Sequence, residues 1–228
     1  MPATRLYCLP YAGGSSLFYG PLGERLKPDV TLCTPDYPGH GMRMGGEVVT
    51  SMDDLMDDMY AQLQEEGLRE PFALLGYSMG ATVAYHLYFY LKERGIHPQH
   101  LFLLSNTPPY VADEGVPSTD LDDDAFLAEL AALGGMPQEL LESRELIELF
   151  LPLLRADVRL EEVGQVAEPT VVDANMTVLY GREDSVCSKM GEWRRCAGGQ
   201  CELRAFDGGH FFMLDHYADV AEIINRTL

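Results

Sequence analysis

The sequence predicts an α/β fold: a mostly parallel central sheet with helices packed on both faces. Two observations carry this. Short, nearly continuous apolar runs such as Phe72-Ala73-Leu74-Leu75 suit strands buried on both sides of a parallel sheet. Helical patterns lie between these runs, and strands that alternate with helices assemble through right-handed crossovers. The chain has 228 residues, 46 % of them hydrophobic. That is enough apolar side chain for one domain spanning 1–228 with a sizeable core.

Strands are expected at 5–9, 30–35, 72–76, 101–105, 176–180 and 202–206. The first expected helix, 51–65, opens on a Ser cap followed by Asp53 and Asp54, where the positive helix end favours anions. The second, 79–94, is apolar and aromatic almost all round until Lys92-Glu93-Arg94 and stops at Gly95, as a helix packed on the sheet would. A final helix is expected at 217–226. The stretch 113–168 breaks the alternation. It begins with acidic, turn-prone residues (Asp113, Glu114, Asp120, Asp122, Asp123, Asp124) and continues as helical pieces at 125–133 and 139–154 around Gly134-Gly135-Met136-Pro137. Two readings of this insertion stand: a helical lid over a site, or a crossover packed on the sheet.

Thirty-six acidic residues against sixteen basic give a net charge of −20. Such a field repels phosphate backbones and anionic lipid heads, so neither nucleic acid nor a membrane surface is expected as a partner. No apolar run reaches the roughly 18 residues of a spanning helix. Met1-Pro2-Ala3-Thr4-Arg5 lacks the layout of a secretion signal. The five cysteines are an odd number without CxxC spacing. Reduced thiols in a cytoplasmic protein with no thiolate metal site fit that pattern.

The sharpest motif is Gly76-Tyr77-Ser78-Met79-Gly80, between an apolar strand and a helix. This is the setting of a nucleophile elbow, a tight strand-to-helix turn that lifts a serine hydroxyl above the sheet edge. Ser78 then needs a base, and in this arrangement the chain order is Ser, acid, His. Of six histidines, His210 in Gly208-Gly209-His210-Phe211-Phe212 follows the last strand at the edge where ligands bind. His86 lies within the second helix and reads as a packing residue, His97 and His100 flank a surface turn, His40 precedes Ser78, and His216 belongs to the last helix. Asp184, just past the fifth strand, is the expected acid, with Glu183 and Asp207 as neighbouring rivals and Asp173 at the wrong edge. The backbone N–H groups of Met79 and of Ala12, in the loop Pro10-Tyr11-Ala12-Gly13-Gly14-Ser15, are the expected oxyanion donors. Tyr11, Gly13, Tyr77, Phe126 and Phe211 are candidates to line the substrate site.

Several motifs in order along the chain carry a family resemblance. They are Leu9-Pro10-Tyr11-Ala12-Gly13-Gly14-Ser15, Tyr37-Pro38-Gly39-His40-Gly41-Met42-Arg43, the Ser78 elbow, Leu133-Gly134-Gly135-Met136-Pro137, Leu151-Pro152-Leu153-Leu154-Arg155-Ala156-Asp157 and Gly208-Gly209-His210-Phe211-Phe212. With these the chain resembles the type II, editing thioesterases that accompany polyketide and nonribosomal peptide synthetases, within the α/β-hydrolase superfamily. The resemblance implies hydrolysis of acyl groups from the phosphopantetheine thiol of acyl- or peptidyl-carrier proteins. It also implies a mobile helical lid over 113–168, and the roles of Ser78, Asp184, His210, Ala12 and Met79 just given. His40 stands in a slot that often carries another residue. No metal or diffusible cofactor is required. A carboxylesterase or a Ser acyltransferase would use the same triad, and a non-catalytic acyl-carrier-binding module would lack one of its members.

Overall fold

In a strand, alternate side chains point to opposite faces of the sheet, and here both sets are apolar. The computed structural model describes residues 3–111, 117–136 and 142–228. Its strands are β1 (Thr4–Leu9), β2 (Val30–Cys33), β3 (Phe72–Tyr77), β4 (His100–Leu104), β5 (Asn175–Gly181) and β6 (Cys201–Phe206). They form one sheet in the order β2-β1-β3-β4-β5-β6. Every pairing in it is parallel. Tyr7 lies opposite Leu74, Leu74 opposite Leu101, and Leu101 opposite Met176.

Leu6, Cys8, Ala73, Leu75, Phe102 and Leu104 face one layer, where the short α1 (Gly20–Gly23) supplies Leu22 and α6 (Met213–Thr227) supplies Val220, Ile223 and Ile224. Tyr7, Leu9, Leu74, Leu101 and Leu103 face the other. There α2 (Met52–Glu65) contributes Leu55 and Met59, α3 (Met79–Glu93) contributes Val83 and Leu87, and a 3-10 segment at Cys187–Cys196 contributes Trp193. Each large apolar side chain buried in this way adds roughly 1.5–3 kcal/mol before the entropy of ordering it is counted. Ser51 caps α2 by accepting from the Asp54 N–H at 3.4 Å. The chain runs outward from β1 to β2, then returns past β1 to β3. The C-terminal ends of β1 and β3 therefore part at a topological switch point, the place where open α/β sheets bind ligands.

Between β4 and β5 lie α4 (Asp123–Ala132) and α5 (Arg144–Val163). They share a small cluster of Phe126, Leu130, Leu154 and Val158. Asp113 and Glu114 at the expected acidic start of the insertion, and Pro137 and Glu139 at its helix junction, lie outside the described residues. Most boundaries shift by one or two residues, and two helix ends shift by four or more. α5 continues through Pro152 to Val163, beyond the expected end at 154, because its buried face beyond Leu154 carries Asp157 and Glu161 beside Val158 and Leu160. The helical period persists, but the apolar stripe that reveals it does not. α6 begins at Met213 rather than at 217, with His216 bent out of helical geometry at φ −124° and ψ 24°. No described helix is long and apolar enough to cross a membrane.

His100 is a third correction. It is not at a surface turn but opens β4 and is buried, with Nε2 2.8 Å from Thr177 Oγ1 and its ring against Phe102. The neighbouring strand β5 supplies Thr177 and closes that side. Burial, opposed only in part by the charge of Glu202, pushes the imidazole down to about 4. A folded-state value below the unfolded one means that the unfolded chain binds the proton first. The associated stability is complete above the unfolded value near 6.5 and is lost as pH falls through about 4. His100→Gln keeps a partner for Thr177 without titrating. Between pH 6.5 and 4 this variant should lose about 2 kcal/mol less unfolding free energy than the parent in denaturant titrations.

Candidate active site

The site is assembled at the end of β3 by backbone crowding. A Cβ on Gly76 would lie 1.9 Å from the Gly80 carbonyl oxygen, and one on Gly80 would lie 2.1 Å from the Leu9 carbonyl oxygen. Only glycine at both positions lets α3 start directly over β1 and β3. The turn between them forces Ser78 to φ 52° and ψ −123°, a strained conformation for a residue with a side chain. The Ser78 N–H donates to the Leu104 carbonyl at 2.8 Å, and the Ser78 carbonyl accepts from the Ala81 N–H at 2.7 Å.

The loop after β6 brings His210 over this serine. Its Nε2 is 2.9 Å from Ser78 Oγ, and its Nδ1 is 3.0 Å from Asp184 Oδ2. The His210 carbonyl accepts from Tyr77 Oη at 2.6 Å and from Ser105 Oγ at 2.8 Å. Burial raises the Tyr77 phenol far above its ordinary value, so it remains a neutral donor. The Asp184 side chain is fully enclosed, and its Oδ1 accepts from the Val186 N–H at 3.3 Å. Gly181 permits the approach of the two loops, since a Cβ there would meet the Gly209 oxygen at 2.2 Å. The rival acids are elsewhere: Glu183 is exposed, Asp207 pairs with Arg182, and Asp173 pairs with Lys92.

Ala12, Ser78, Met79 and His210 border a common recess. The Ala12 and Met79 N–H groups have no acceptor among the described residues. A cavity of about 350 Å³ shares Ala12, Ser78 and His210 with this recess. Its apolar wall comes from Leu130, Leu133, Leu146, Phe150 and Leu154 of the insertion. Tyr11, Gly13 and Phe211 line it. Tyr77 and Phe126 do not. Both are wholly buried, the Tyr77 ring near-parallel to those of Phe211 and Phe212 and Phe126 under the guanidinium of Arg155.

Five further residues not expected from sequence support the site, and two of them, Asn106 and Glu161, border the recess. Asp157 accepts from the Gly13 N–H at 2.6 Å and from His40 Nε2 at 2.8 Å. Burial disfavours the imidazolium, but the hydrogen bond and charge of Asp157 outweigh it and raise the His40 pKa. Asn106, Thr82 and Glu161 form a second buried cluster beside Ser78. His40 and Asp157 are 117 positions apart, and no local spacing could have paired them. Among the described residues no group of three or more potential ligands is placed to hold a metal ion.

The wholly parallel sheet, flanked on both faces and carrying a strand–elbow–helix, is that of the α/β-hydrolase class. A model of the thioesterase domain matches residues 4–228. The chain is 32 % identical to thioesterase PikA5 of Streptomyces venezuelae, across 99 % of this chain and 81 % of that protein. It is 29 % identical to the human medium-chain S-acyl fatty acid synthase thioesterase, across 92 % and 81 %. Among solved structures it resembles ClbQ from the colibactin NRPS/PKS pathway, with a TM-score of 0.89, 28 % identity and coverage of 99 % and 96 %. It also resembles the type II thioesterase BorB from the borrelidin biosynthetic cluster, with 0.85, 29 %, 99 % and 94 %. The chain belongs to the thioesterase family, and the type II resemblance read from its motifs is borne out.

The elbow is testable by sterics alone. Gly76→Ala must displace the backbone of α3, so it should lower stability by about 2–3 kcal/mol and slow labelling of Ser78 by a fluorophosphonate. At Gly20 a Cβ meets nothing within 4 Å. Gly20→Ala should therefore change stability by less than about 0.5 kcal/mol in the same denaturation assay.

Proposed function

We propose that this enzyme hydrolyses acyl thioesters carried on the phosphopantetheine arm of acyl- or peptidyl-carrier proteins, as an editing enzyme of polyketide or nonribosomal peptide biosynthesis. The observation that carries this reading is the chain Ser78–His210–Asp184 at the polar end of an apolar cavity, in a member of the thioesterase family.

His210 accepts the Ser78 proton at Nε2 as Oγ attacks the thioester carbonyl. Asp184 accepts from Nδ1–H, which fixes the tautomer and stabilises the imidazolium. The tetrahedral oxyanion is held by the N–H groups of Ala12 and Met79. His210 returns the proton to the pantetheine sulfur, which leaves as a thiol, and Ser78 keeps the acyl group as an ester. A water deprotonated by His210 then attacks that ester. Collapse of the second tetrahedral intermediate releases the carboxylic acid and restores the serine hydroxyl. The acyl chain lies along Leu133, Leu146 and Phe150.

The helix α4 and the first half of α5, which carries Leu146 and Phe150, act as the lid, while the second half of α5 stays bonded to the body through Asp157 and Glu161. The contribution of both helices to the cavity wall and their separate small apolar cluster support this. An element that opens should exchange its amide hydrogens well before α3 does. Protection in α4 equal to that in α3 would mean fixed packing.

Two variants test the chemistry. Ser78→Ala should abolish both turnover of an acyl-pantetheine and the fluorophosphonate mass adduct. An adduct on another serine in the parent enzyme would remove Ser78 from its role. Asp184→Asn should reduce kcat on the order of 10²–10⁴-fold, while Glu183→Gln should leave it within about threefold. A crippling Glu183→Gln would move the acid by one residue. Matched thioester and oxygen-ester substrates report whether the same site discriminates the leaving group.

A further inference from the structure

We propose that Asp157 and Glu161, one turn apart on the buried face of α5, are positioning residues that set the two sides of the oxyanion hole. The assignment rests on the reading of Ser78 as nucleophile and of the Ala12 and Met79 N–H groups as donors. Both carboxylates are almost fully enclosed.

Asp157 fixes the Ala12 side. Its Oδ2 receives the Gly13 N–H at 2.6 Å, which belongs to the peptide immediately following Ala12. Gly13 has φ +74°, and a Cβ there would lie 2.5 Å from Leu154 Cδ2. The loop is therefore held to α5 both by a charge-assisted hydrogen bond and by direct packing. His40 holds the carboxylate in turn. Its Nε2 is 2.8 Å from Oδ2, and its Nδ1 is 3.0 Å from the Pro38 carbonyl, which can only accept. A ring that donates at both nitrogens is an imidazolium, so the buried carboxylate is matched by a buried cation.

Glu161 fixes the Met79 side. Its Oε1 accepts from Thr82 Oγ1 at 2.7 Å and from Asn106 Nδ2 at 2.5 Å. The same Nδ2 lies 3.0 Å from the Ser78 carbonyl oxygen. Asn106 Oδ1 accepts from the Thr107 N–H at 2.9 Å, which sets the amide orientation. The Ser78 carbonyl and the Met79 N–H share one planar trans peptide and point in opposite directions. A carbonyl held back by Asn106 thus aims the N–H into the recess that Ser78, Met79 and Glu161 border. The helix that supplies Leu146, Phe150 and Leu154 to the acyl cavity also orients the donors for the reacting carbonyl.

The test compares Asp157→Leu with Asp157→Asn, and Glu161→Leu with Glu161→Gln. Three quantities are read: kcat and KM per labelled active site on an acyl-pantetheine, the inhibition constant of an acyl trifluoromethyl ketone that forms a tetrahedral adduct, and the downfield proton resonance of His210 Nδ1–H. The Leu variants should lose about 10–10³-fold in kcat, up to the roughly 10²–10³-fold that follows outright loss of an oxyanion donor. KM should stay within threefold, and ketone affinity should fall in step with kcat/KM. The His210 resonance should not move. The Asn and Gln variants, which keep an acceptor, should recover at least tenfold of the loss. If the Leu chains do not fold, the Asn and Gln variants decide, with parallel threefold to tenfold losses in kcat/KM and ketone affinity expected at an unchanged His210 resonance. Parent-like ketone affinity in folded variants overturns the assignment. So does a loss confined to the fraction of labelled sites. A parent enzyme whose Ser78 takes no fluorophosphonate overturns the underlying reading instead, and the assignment falls with it.

Discussion

Everything about this site depends on one steric condition, the contact between bare backbone atoms where β3 turns into α3. With no Cβ at Gly76 or Gly80, the first turn of α3 sits on the ends of β1 and β3. Ser78 is then driven into a left-handed conformation, and its hydroxyl stands clear of the sheet. Strain of this kind persists only where surrounding contacts over-determine it. Here those contacts are the hydrogen bonds of Ser78 to Leu104 and Ala81 and the apolar layer beneath α3. The reactive geometry is a product of the core.

Much of the framework was legible because its signals are local. Apolar runs located all six strands, and the glycine pair around Ser78 located the turn. Chain order and the edge of the sheet singled out His210 and Asp184, and the structure brings both into hydrogen-bonding reach of their expected neighbours. What escaped was non-local or disguised. The second half of α5 fell beyond the expected helix end because Asp157 and Glu161 at buried positions interrupt its apolar stripe. His100 reads as a turn residue because a polar side chain at a strand start gives no sign that Thr177 will satisfy it. Tyr77 and Phe126 were expected at the substrate because aromatic residues near a site suggest contact, yet both spend their rings on packing behind it.

The charge distribution separates two electrostatic regimes. The surface carries most of a net −20, screened by salt over about 8–10 Å. The carboxylates buried around the site are each held by hydrogen-bond donors instead, with Thr82 and Asn106 donating to Glu161. His40 faces Asp157, and His210 faces Asp184. Buried carboxylates without such partners would be costly. Each therefore sits against a group that donates to it, and the acyl cavity between them keeps an uncharged wall.

The site is also stitched from distant stretches of chain. Ser78 and His210 are 132 positions apart, and Gly13 and Asp157 are 144 apart. Contacts of such long range form late, since the loops they close must first be ordered. The segment through β4 contains Ser78 but neither the base nor the acid, nor the Asp157 that receives the Gly13 N–H. The triad therefore exists only in a chain that includes β5, β6 and the loops that follow them.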